Sequence, residues 1–409
     1  MRTPGVEDGK RLLAVAAALA AALAVGPPPA SGQTLREDLD RALTISGVSR
    51  ARTGAFALDL QSGRVVYDLH PGRSLRPASN EKLAVALAAL ERLGPGQRIP
   101  TTVLGAGSRA GSTWRGRLVL RGFGDPTLTR ADLRRLASKL RSAGIRRVTG
   151  RIVGDETYFD RRRTADGWKP SYYKIQSPPL SALVVDRARS DGRTVGNPAF
   201  WAAKAFRKAL VGTGISVGGK AVRGTAPNGA RRLAAVRSQT IKALVKRMNK
   251  VSDNFYAEML VKRLGARVRG TGTTKAGCLV VRGVLAARNI PLAGVRIVDG
   301  SGLSLLDRAT ARSLGRLLVS AWRDPALRMP FFSSLAIAGV DGTLEDRMRR
   351  GPAHGRVRAK TGTTSRASAL SGFVGTRYVF AILQNGNPIN WTKARRAQDR
   401  FAQRLARSL

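Results

Sequence analysis

The first strong pattern along the chain is an alternation of apolar and polar positions. Residues 53–60 alternate around Phe56 and Leu58, a turn sequence follows at 61–63, and 64–69 is again rich in valine. Because the side chains of a strand point alternately to opposite faces, this period of two predicts paired strands joined by a tight turn. We expect a β-hairpin at the start of the folded region.

A second pattern has the period of a helix. From Ser79 onwards, leucine, valine and alanine recur at spacings that keep an apolar stripe, until Gly94-Pro95-Gly96 interrupts them. That spacing is typical of an α-helix with one face in a core, and glycine and proline end such a helix. The sequence therefore predicts a helix that Ser79 begins.

Beyond this helix, short β-like runs surround one helical stretch. The runs 101–104, 117–120 and 151–153 and the helical stretch 130–143 are typical of an inserted α+β unit. The remaining predicted elements are a loop at 168–179, a short run at 182–185, helices at 198–212, 240–264 and 392–407, and strands at 356–360, 368–374 and 378–384.

The N-terminal residues indicate export. Three basic residues precede an uncharged apolar run, 12–25, which is too short for an ordinary spanning helix. The prolines and small residues that follow predict a signal peptide of residues 1–32, cleaved before Gln33. An uncleaved anchor is the alternative, although no stop-transfer flank is present. We expect the mature protein to act outside the cytoplasm, in the periplasm or at the cell wall.

The formal net charge of +46 is extreme for 409 residues. A positive field of this size attracts polyanions. Nucleic acid is not the expected partner, because only 5% of the residues are aromatic, no basic run is interleaved with them, and the chain is predicted to be exported. Anionic wall polymers and the carboxylates of peptidoglycan are better candidates. Compositional drift towards arginine explains the charge equally well.

Cysteine and histidine are too scarce for several kinds of chemistry. The single cysteine, Cys278, lies in an apolar stretch, so it cannot form an internal disulfide and is expected to be buried. The two histidines, His70 and His354, lack the neighbours of a Ser-His-Asp triad or of a zinc site. Because there is no phosphate-binding loop either, the sequence predicts neither a metal nor a cofactor.

Three short motifs occur in an informative order. They are Ser79-Asn80-Glu81-Lys82, Ser252-Asp253-Asn254 and Lys360-Thr361-Gly362, the S-x-x-K, S-D-N and K-T-G set of penicillin-interacting serine enzymes. A second S-x-x-K match, Ser171 to Lys174, shows how weak one motif is alone. A serine and a lysine base three positions apart meet only on one turn of a helix. Ser79 begins a predicted helix, whereas Ser171 lies in a loop rich in proline and tyrosine.

Each motif also has a purely structural explanation. Ser79 would be a helix cap, the second motif a surface turn in the helical region 250–264, and the third a strand end at residues 360–363. The catalytic interpretation instead places a helix N-terminus, which suits an oxyanion, at Ser79. It also places a glycine where a ligand backbone approaches closely, at Gly362. The order of the three motifs favours catalysis.

Five further segments carry a resemblance to a known family. They are Leu75–Ser79, Gly122–Leu128, Gly154–Phe159, Asp299–Ser304 and Ala338–Leu344. With the three motifs, they make residues 53–387 similar to the class C, type-4 penicillin-binding proteins, the D-alanyl-D-alanine carboxypeptidase/endopeptidase family. This series is more specific than any single motif.

The resemblance implies an α/β fold, in which a penicillin-binding transpeptidase-like domain has an antiparallel sheet flanked by helices. Residues 33–99 and 236–409 would form this domain, and residues 100–235 a smaller inserted α+β domain. Many members insert a third domain after the position of Arg187. Here residues 188–195 run almost at once into Gly196-Asn197-Pro198, so that domain is expected to be missing.

The resemblance also implies a serine DD-peptidase that cleaves the D-Ala-D-Ala ends or the D-Ala cross-links of peptidoglycan stem peptides and that β-lactams acylate. Ser79 would be the nucleophile. Lys82, desolvated and close to Lys360, would have a lowered pKa and accept the proton of Ser79. Ser252 would relay a proton to the leaving D-alanine amine.

Five residues are implied to bind the substrate: Asn254, Thr361, Gly362, Thr363 and Asp155. The backbone N–H groups of Ser79 and Thr363 would form the oxyanion hole. Asn254 would hold the peptide carbonyl, and Lys360, Thr361 and Thr363 would face the substrate carboxylate. Asp155 would meet the amino end of the stem-peptide side chain, unless it is only a turn aspartate.

Two other functions stay open. One is a β-lactamase that deacylates quickly, although the interval between Ser79 and Ser252 is too long for a compact class A enzyme. The other is a wall-binding protein with a degenerate catalytic set. The oligomeric state is not predicted.

Overall fold

The computed structural model describes residues 34–190 and 192–409, and the predicted signal peptide lies outside these ranges. The helices described are α1 (Leu35–Leu43), α2 (Glu81–Leu93), α3 (Arg130–Ser142), α4 (Pro198–Gly212), α5 (Ile241–Lys250), α6 (Asn254–Arg269), α7 (Thr274–Ala287), α8 (Ala311–Arg323), α9 (Pro325–Phe332) and α10 (Trp391–Arg407). None of these helices is long and apolar enough to cross a membrane.

The strands described are β1 (Thr53–Asp59), β2 (Val65–Leu69), β3 (Arg98–Ala110), β4 (Thr113–Gly122), β5 (Arg147–Val148), β6 (Ile152–Asp155), β7 (Arg189–Ser190), β8 (Arg193–Thr194), β9 (Ser216–Val217), β10 (Ala221–Arg223), β11 (Arg231–Thr240), β12 (Ala336–Ile337), β13 (Val357–Thr364), β14 (Ala367–Val374) and β15 (Tyr378–Asn385).

A six-stranded antiparallel sheet in the order β12-β13-β14-β15-β1-β2 is the base of the larger half of the molecule. Every residue of β1 and β14 is buried, because helices cover both faces of the sheet. Alternate residues enter two different cores: Phe56 and Phe373 pack on the side of α8, and Ala57 and Phe380 on the side of α10. The predicted hairpin is confirmed as β1 and β2.

Helix α2 lies at the centre of the core on the α8 side of the sheet. All residues from Glu81 to Leu90 are buried, and the helix contacts α5, α6, α7, α8 and α9. The sequence predicted a single apolar stripe, whereas the structure buries the whole circumference of the first three turns. A helix enclosed in this way holds its N-terminal residues in a fixed position.

The inserted half has its own sheet and its own core. Its strands follow the order β10-β6-β4-β3-β11, with β5 beside β4 and β9 beside β5. Helices α3 and α4 pack together over buried residues that include Trp114, Leu136 and Phe206. The chain enters this sheet at Arg98 in β3 and leaves it at Thr240 in β11, so the inserted sheet extends slightly beyond the range 100–235.

Local sequence explains where the helices of the insert begin. Thr129 accepts a hydrogen bond from the backbone N–H of Asp132, whose carboxylate accepts one from Thr129 in return, which is a capping box at the start of α3. Asn197 caps α4, and Pro198 is its first residue. Both helices therefore begin where the sequence predicted them.

The short run 182–185 is a buried, bent segment. Two expectations about local structure were wrong. The helix expected over 240–264 is two helices, α5 and α6, with a break at residues 251–253. The third motif does not end its strand, because β13 continues to Thr364. Sequence periodicity does not detect where contacts between distant residues break a helix or extend a strand.

The separate core of the insert makes its stability testable at one helix. Replacing Phe206, which is fully buried in α4, by alanine should lower the free energy of unfolding by about 3–5 kcal/mol because it leaves a cavity. Phe200 in the same helix is 36% exposed, so Phe200→Ala should cost about 1 kcal/mol or less. Urea unfolding followed by fluorescence measures both variants. Equal losses would contradict the assignment of Phe206 to the core of the insert.

Candidate active site

The side chain of Lys82 joins the first motif to the second. Ser79 lies in a 3-10 turn, Ala78–Asn80, directly before α2, and Lys82 is in the first turn of α2. Lys82 Nζ donates hydrogen bonds to Ser79 Oγ at 2.9 Å and to Asn254 Oδ1 at 2.8 Å. A third bond, of 2.6 Å, goes to the carbonyl of Ser301. The lysine is fully buried, whereas Ser79 is partly exposed.

The second motif sits in the break between α5 and α6. Ser252 has a φ of +57°, and the backbone N–H of Asp253 bonds to the carbonyl of Met248 across the end of α5. This is the Schellman arrangement, in which the left-handed residue is usually glycine. Asp253 then caps α6 by accepting from the N–H of Tyr256. The strained turn sends the side chain of Ser252 towards the third motif.

Lys360 in β13 completes a second serine and lysine pair. Its Nζ donates to Ser252 Oγ at 2.9 Å and to the carbonyl of Thr361 at 2.8 Å. The carbonyl of Lys360 accepts a bond of 3.1 Å from Asn80 Nδ2, so the turn that carries the nucleophile is anchored to the strand. Strand β12 pairs with β13 only as far as Ala359. Beyond that residue, the outer edge of β13 has no neighbouring strand within the described ranges.

Two glycines permit the close packing of these segments. Gly302 has a φ of +78°, and a Cβ there would lie 1.9 Å from the carbonyl oxygen of Ala78, the residue before the nucleophile. A Cβ on Gly362 would lie 2.8 Å from the carbonyl oxygen of Pro77. The sequence suggested that Gly362 makes room for a ligand. The structure shows that it makes room for the protein's own nucleophile turn.

Burial alters the acid–base properties of both lysines. It lowers the pKa of Lys82 to about 8, while the nearby carboxyls of Asp299 and Glu258 act in the opposite direction. Burial, followed by the positive charge of Lys82, lowers the pKa of Lys360 well below its usual value. At neutral pH an amine with a pKa near 8 is still mainly protonated, but about a tenth of it is free base, far more than for an ordinary lysine. The main cause is burial, not the charge of a second lysine.

A layer of buried acidic residues lies behind Lys82. Asp299 accepts bonds from the N–H groups of Gly302 and Ser304 at 2.7 and 2.9 Å. Glu258 Oε1 accepts from the N–H groups of Gly300 and Ser301 at 3.0 and 2.9 Å. These bonds fix the loop whose Ser301 carbonyl accepts a hydrogen bond from Lys82.

Three acids of this layer, Glu81, Glu258 and Asp307, resist ionisation. Burial raises the pKa of Glu258 to about 8, and burial together with Asp299 raises the pKa of Glu81 and Asp307 well above the usual value. Several carboxyls in one buried space cannot all be ionised, because each charge opposes the next. Asp299 accepts four hydrogen bonds, from the N–H groups of Gly302 and Ser304, from Ser301 Oγ and from Trp168 Nε1. Within the described ranges, no group of residues has the arrangement of a metal site.

Two sequence-based assignments concern residues outside this cluster. Asp155 is fully buried, and its carboxylate accepts from the N–H and hydroxyl of Thr157 and from the N–H of Ala226. This geometry supports a turn aspartate and does not support contact with a substrate amine. Ser171 is exposed in the 3-10 turn Pro170–Tyr172, as expected of a structural copy of the motif.

Several residues of the site had no assigned role in the sequence analysis. The carbonyl of Gln176, in the loop around the second S-x-x-K copy, accepts a 3.0 Å bond from Asn254 Nδ2. Trp168 donates to Asp299, Thr361 donates to Thr343 Oγ1, and Arg395 contacts Thr363 Oγ1 at 3.3 Å. Asp299 and Thr343 lie in two of the segments that carry the family resemblance. Their position in these segments was the only feature of the sequence that pointed to them.

Two serine and lysine pairs that meet beside the edge of an antiparallel sheet define a penicillin-interacting serine enzyme. Residues 35–191 and 187–408 match the D-Ala-D-Ala carboxypeptidase 3 (S13) family, and the chain belongs to that family. The predicted fold class and the type-4 resemblance are confirmed. The two matched segments overlap at residues 187–191, and strand β7 lies within this overlap. The absence of a third domain at this place stays a prediction.

Individual proteins are also similar to this chain over most of its length. The D-alanyl-D-alanine carboxypeptidase of Actinomadura sp. (strain R39) is 32% identical over 91% of this chain and 84% of its own length. The crystal structure of penicillin binding protein 4 from Haemophilus influenzae has a TM-score of 0.80 at 23% identity, covering 91% of this chain and 98% of the other. A complex of that protein with a novel β-lactam has a TM-score of 0.71, also at 23% identity and the same coverage.

The role of Glu258 gives a prediction about the rate at which a fluorescent penicillin labels the protein. Glu258→Gln keeps an oxygen for the N–H groups of Gly300 and Ser301, so labelling should stay within about threefold of the wild-type rate. Glu258→Ala removes that oxygen and should slow labelling about tenfold or more, because the Ser301 carbonyl is misplaced. If Glu258→Gln is as slow as Glu258→Ala, a negative charge rather than loop position is what the site requires.

Proposed function

We propose that this chain is a DD-peptidase in which Ser79 attacks the carbonyl carbon between two D-alanine residues of a peptidoglycan stem peptide. The observation that carries the proposal is the 2.9 Å contact between Ser79 Oγ and the buried amine of Lys82. A serine hydroxyl is a weak nucleophile, and an adjacent base of suitable pKa is what activates it. Family membership supplies the substrate class.

In the first step, Lys82 in its neutral form accepts the proton of Ser79 Oγ as the new C–O bond forms. The carbonyl oxygen becomes an oxyanion, which the backbone N–H groups of Ser79 and Thr363 would stabilise. Asn254 holds Lys82 through its Oδ1 atom and the loop at Gln176 through its Nδ2 atom. Asn254 thus supports the base, and it would also hold the carbonyl of the bound peptide.

In the second step, the C–N bond breaks and the terminal D-alanine leaves as an amine. Ser252, hydrogen-bonded to Lys360, would pass a proton to that nitrogen. Water then hydrolyses the ester on Ser79 and restores the enzyme. If the leaving amine belongs to a cross-linked neighbour, the same chemistry is an endopeptidase reaction.

The edge of β13 would bind the peptide. Because no strand covers this edge beyond Ala359 in the described ranges, an extended stem peptide can pair with it as an additional strand. The terminal carboxylate would lie near Thr361 and Thr363, where Arg395 adds a positive charge. We assign no substrate contact to Asp155, because its carboxylate is fully used within the insert.

The site of action follows from the substrate. Peptidoglycan lies outside the cytoplasm, so an enzyme that cleaves it must be exported, as the predicted signal peptide would allow. A β-lactam imitates the acyl donor and would be trapped as an ester on Ser79. The complex of the Haemophilus influenzae protein with a β-lactam supports this part of the proposal.

The assignment of the nucleophile is tested by labelling with fluorescent penicillin. Ser79→Ala should reduce the covalent label by more than about 1,000-fold, because no other serine in the site has a lysine base at hydrogen-bond distance on its own helix. Ser171→Ala, which changes the exposed copy of the motif, should label as the wild type does. An undiminished label in Ser79→Ala would exclude Ser79 as the nucleophile.

The pKa of Lys82 predicts the pH dependence of acylation. Only the neutral amine can accept a proton, so the acylation rate should rise about tenfold per pH unit in the acidic range. It should level off above the Lys82 pKa of about 8. The profile is measured by labelling with a chromogenic or fluorescent β-lactam at a series of pH values, with the reaction quenched at fixed times. A rate that stays flat across neutral pH would contradict Lys82 as the base.

A further inference from the structure

A groove lined by arginine lies beside the active site, between α10 and the loop 347–353. It has a volume of about 710 Å³, and seven of its lining residues are arginines. The groove is a fixed feature, because Gln403 on α10 bonds to the carbonyl of Arg350 at 2.8 Å and to the N–H of Ala353 at 2.9 Å. These bonds hold the loop against the helix.

Most of the positive charge in the groove is not neutralised by the protein. Asp399, the one acidic residue among the described residues that line the groove, is already paired with Arg347 at 2.6 Å. Arg396, Arg400 and Arg404 are exposed and form no ion pair with any described residue. Like charges four positions apart on a helix repel each other. A row of unpaired cations of this kind is stabilised when an anion binds to it.

The row has a regular spacing. Arg396, Arg400, Arg404 and Arg407 follow one another by three or four positions along α10. Successive positions of the row are therefore about 4.5 to 6 Å apart along the helix axis, and the row is about 16 Å long. Guanidinium groups bind phosphate with two parallel hydrogen bonds. A linear polymer with one charge in each repeat matches this row better than single, separated anions do.

The groove also reaches the substrate edge. Arg395, which lines it, contacts Thr363 Oγ1 in β13 at 3.3 Å. An anion held along α10 would therefore lie next to the proposed peptide-binding strand. The carboxylates of peptidoglycan sit on separate stem peptides, whereas a phosphodiester chain carries its charges in one continuous line.

We infer that the α10 groove binds an anionic cell-wall polymer with phosphodiester repeats and so holds the enzyme against the wall beside its peptide substrate. The inference rests on the proposed site of action, since such polymers are met outside the cytoplasm. It adds a binding site that is separate from the catalytic residues.

The test uses the full chain and a fluorescently labelled poly(glycerol phosphate), with the dissociation constant measured by anisotropy. The triple variant Arg396→Glu, Arg400→Glu and Arg404→Glu should bind about tenfold or more weakly than the wild type, and wild-type binding should weaken as salt is added. The matched control is Arg134→Glu, Lys204→Glu and Lys208→Glu in the insert, which changes the net charge equally and should bind within about twofold of the wild type.

Penicillin labelling of both triple variants separates this inference from the proposed function. Both should label at the wild-type rate, because neither touches Ser79, Lys82 or their partners. Equal loss of polymer binding in both triples would overturn the groove and leave only a net-charge effect. Tighter binding of poly-glutamate, or of a DNA oligonucleotide of equal charge, would overturn the assignment to a phosphodiester wall polymer. Failure of labelling in the wild type would instead refute the proposed function.

Discussion

The structure depends on the complete burial of one amine, that of Lys82. A buried lysine is destabilising unless hydrogen-bond acceptors surround it. Here the acceptors are Ser79 Oγ, Asn254 Oδ1 and the Ser301 carbonyl, which come from three distant parts of the chain. The need to satisfy this amine brings those segments together. The burial that makes these three hydrogen bonds necessary also lowers the pKa of Lys82 into the range of a useful base.

Among the described residues, a larger share of the acidic than of the basic side chains is buried. Eight of the described acidic residues are buried: Asp59, Glu81, Asp125, Asp155, Glu156, Glu258, Asp299 and Asp307. Only three described basic residues are buried to the same degree, namely Lys82, Lys262 and Lys360. The surface is therefore even more basic than the composition indicates. The same distribution supplies carboxyls behind the catalytic lysine and leaves arginines unpaired along α10.

Sequence periodicity predicted elements well where neighbouring residues decide the structure. Helix α4 has the predicted bounds, and the last two strands and the last helix agree with prediction within one residue. It failed at Ser252, where a left-handed turn divides one apolar pattern into two helices. It also ended the third-motif strand at Lys360, whereas β13 continues to Thr364 through its pairing with β14. In both cases a tertiary contact outweighs a local preference.

The sequence by itself determined that Ser79 and Lys82 are one helical turn apart, because three positions along a helix always bring two side chains to the same face. It also determined the order of the three motifs and, through it, the family. Only the tertiary structure decided that Asn254 and Ser301 contact Lys82, that Lys360 contacts Ser252, and that Asp155 is occupied within the insert. Such meetings depend on how sheet and helices pack across long intervals of chain, and no local pattern of residues records that packing.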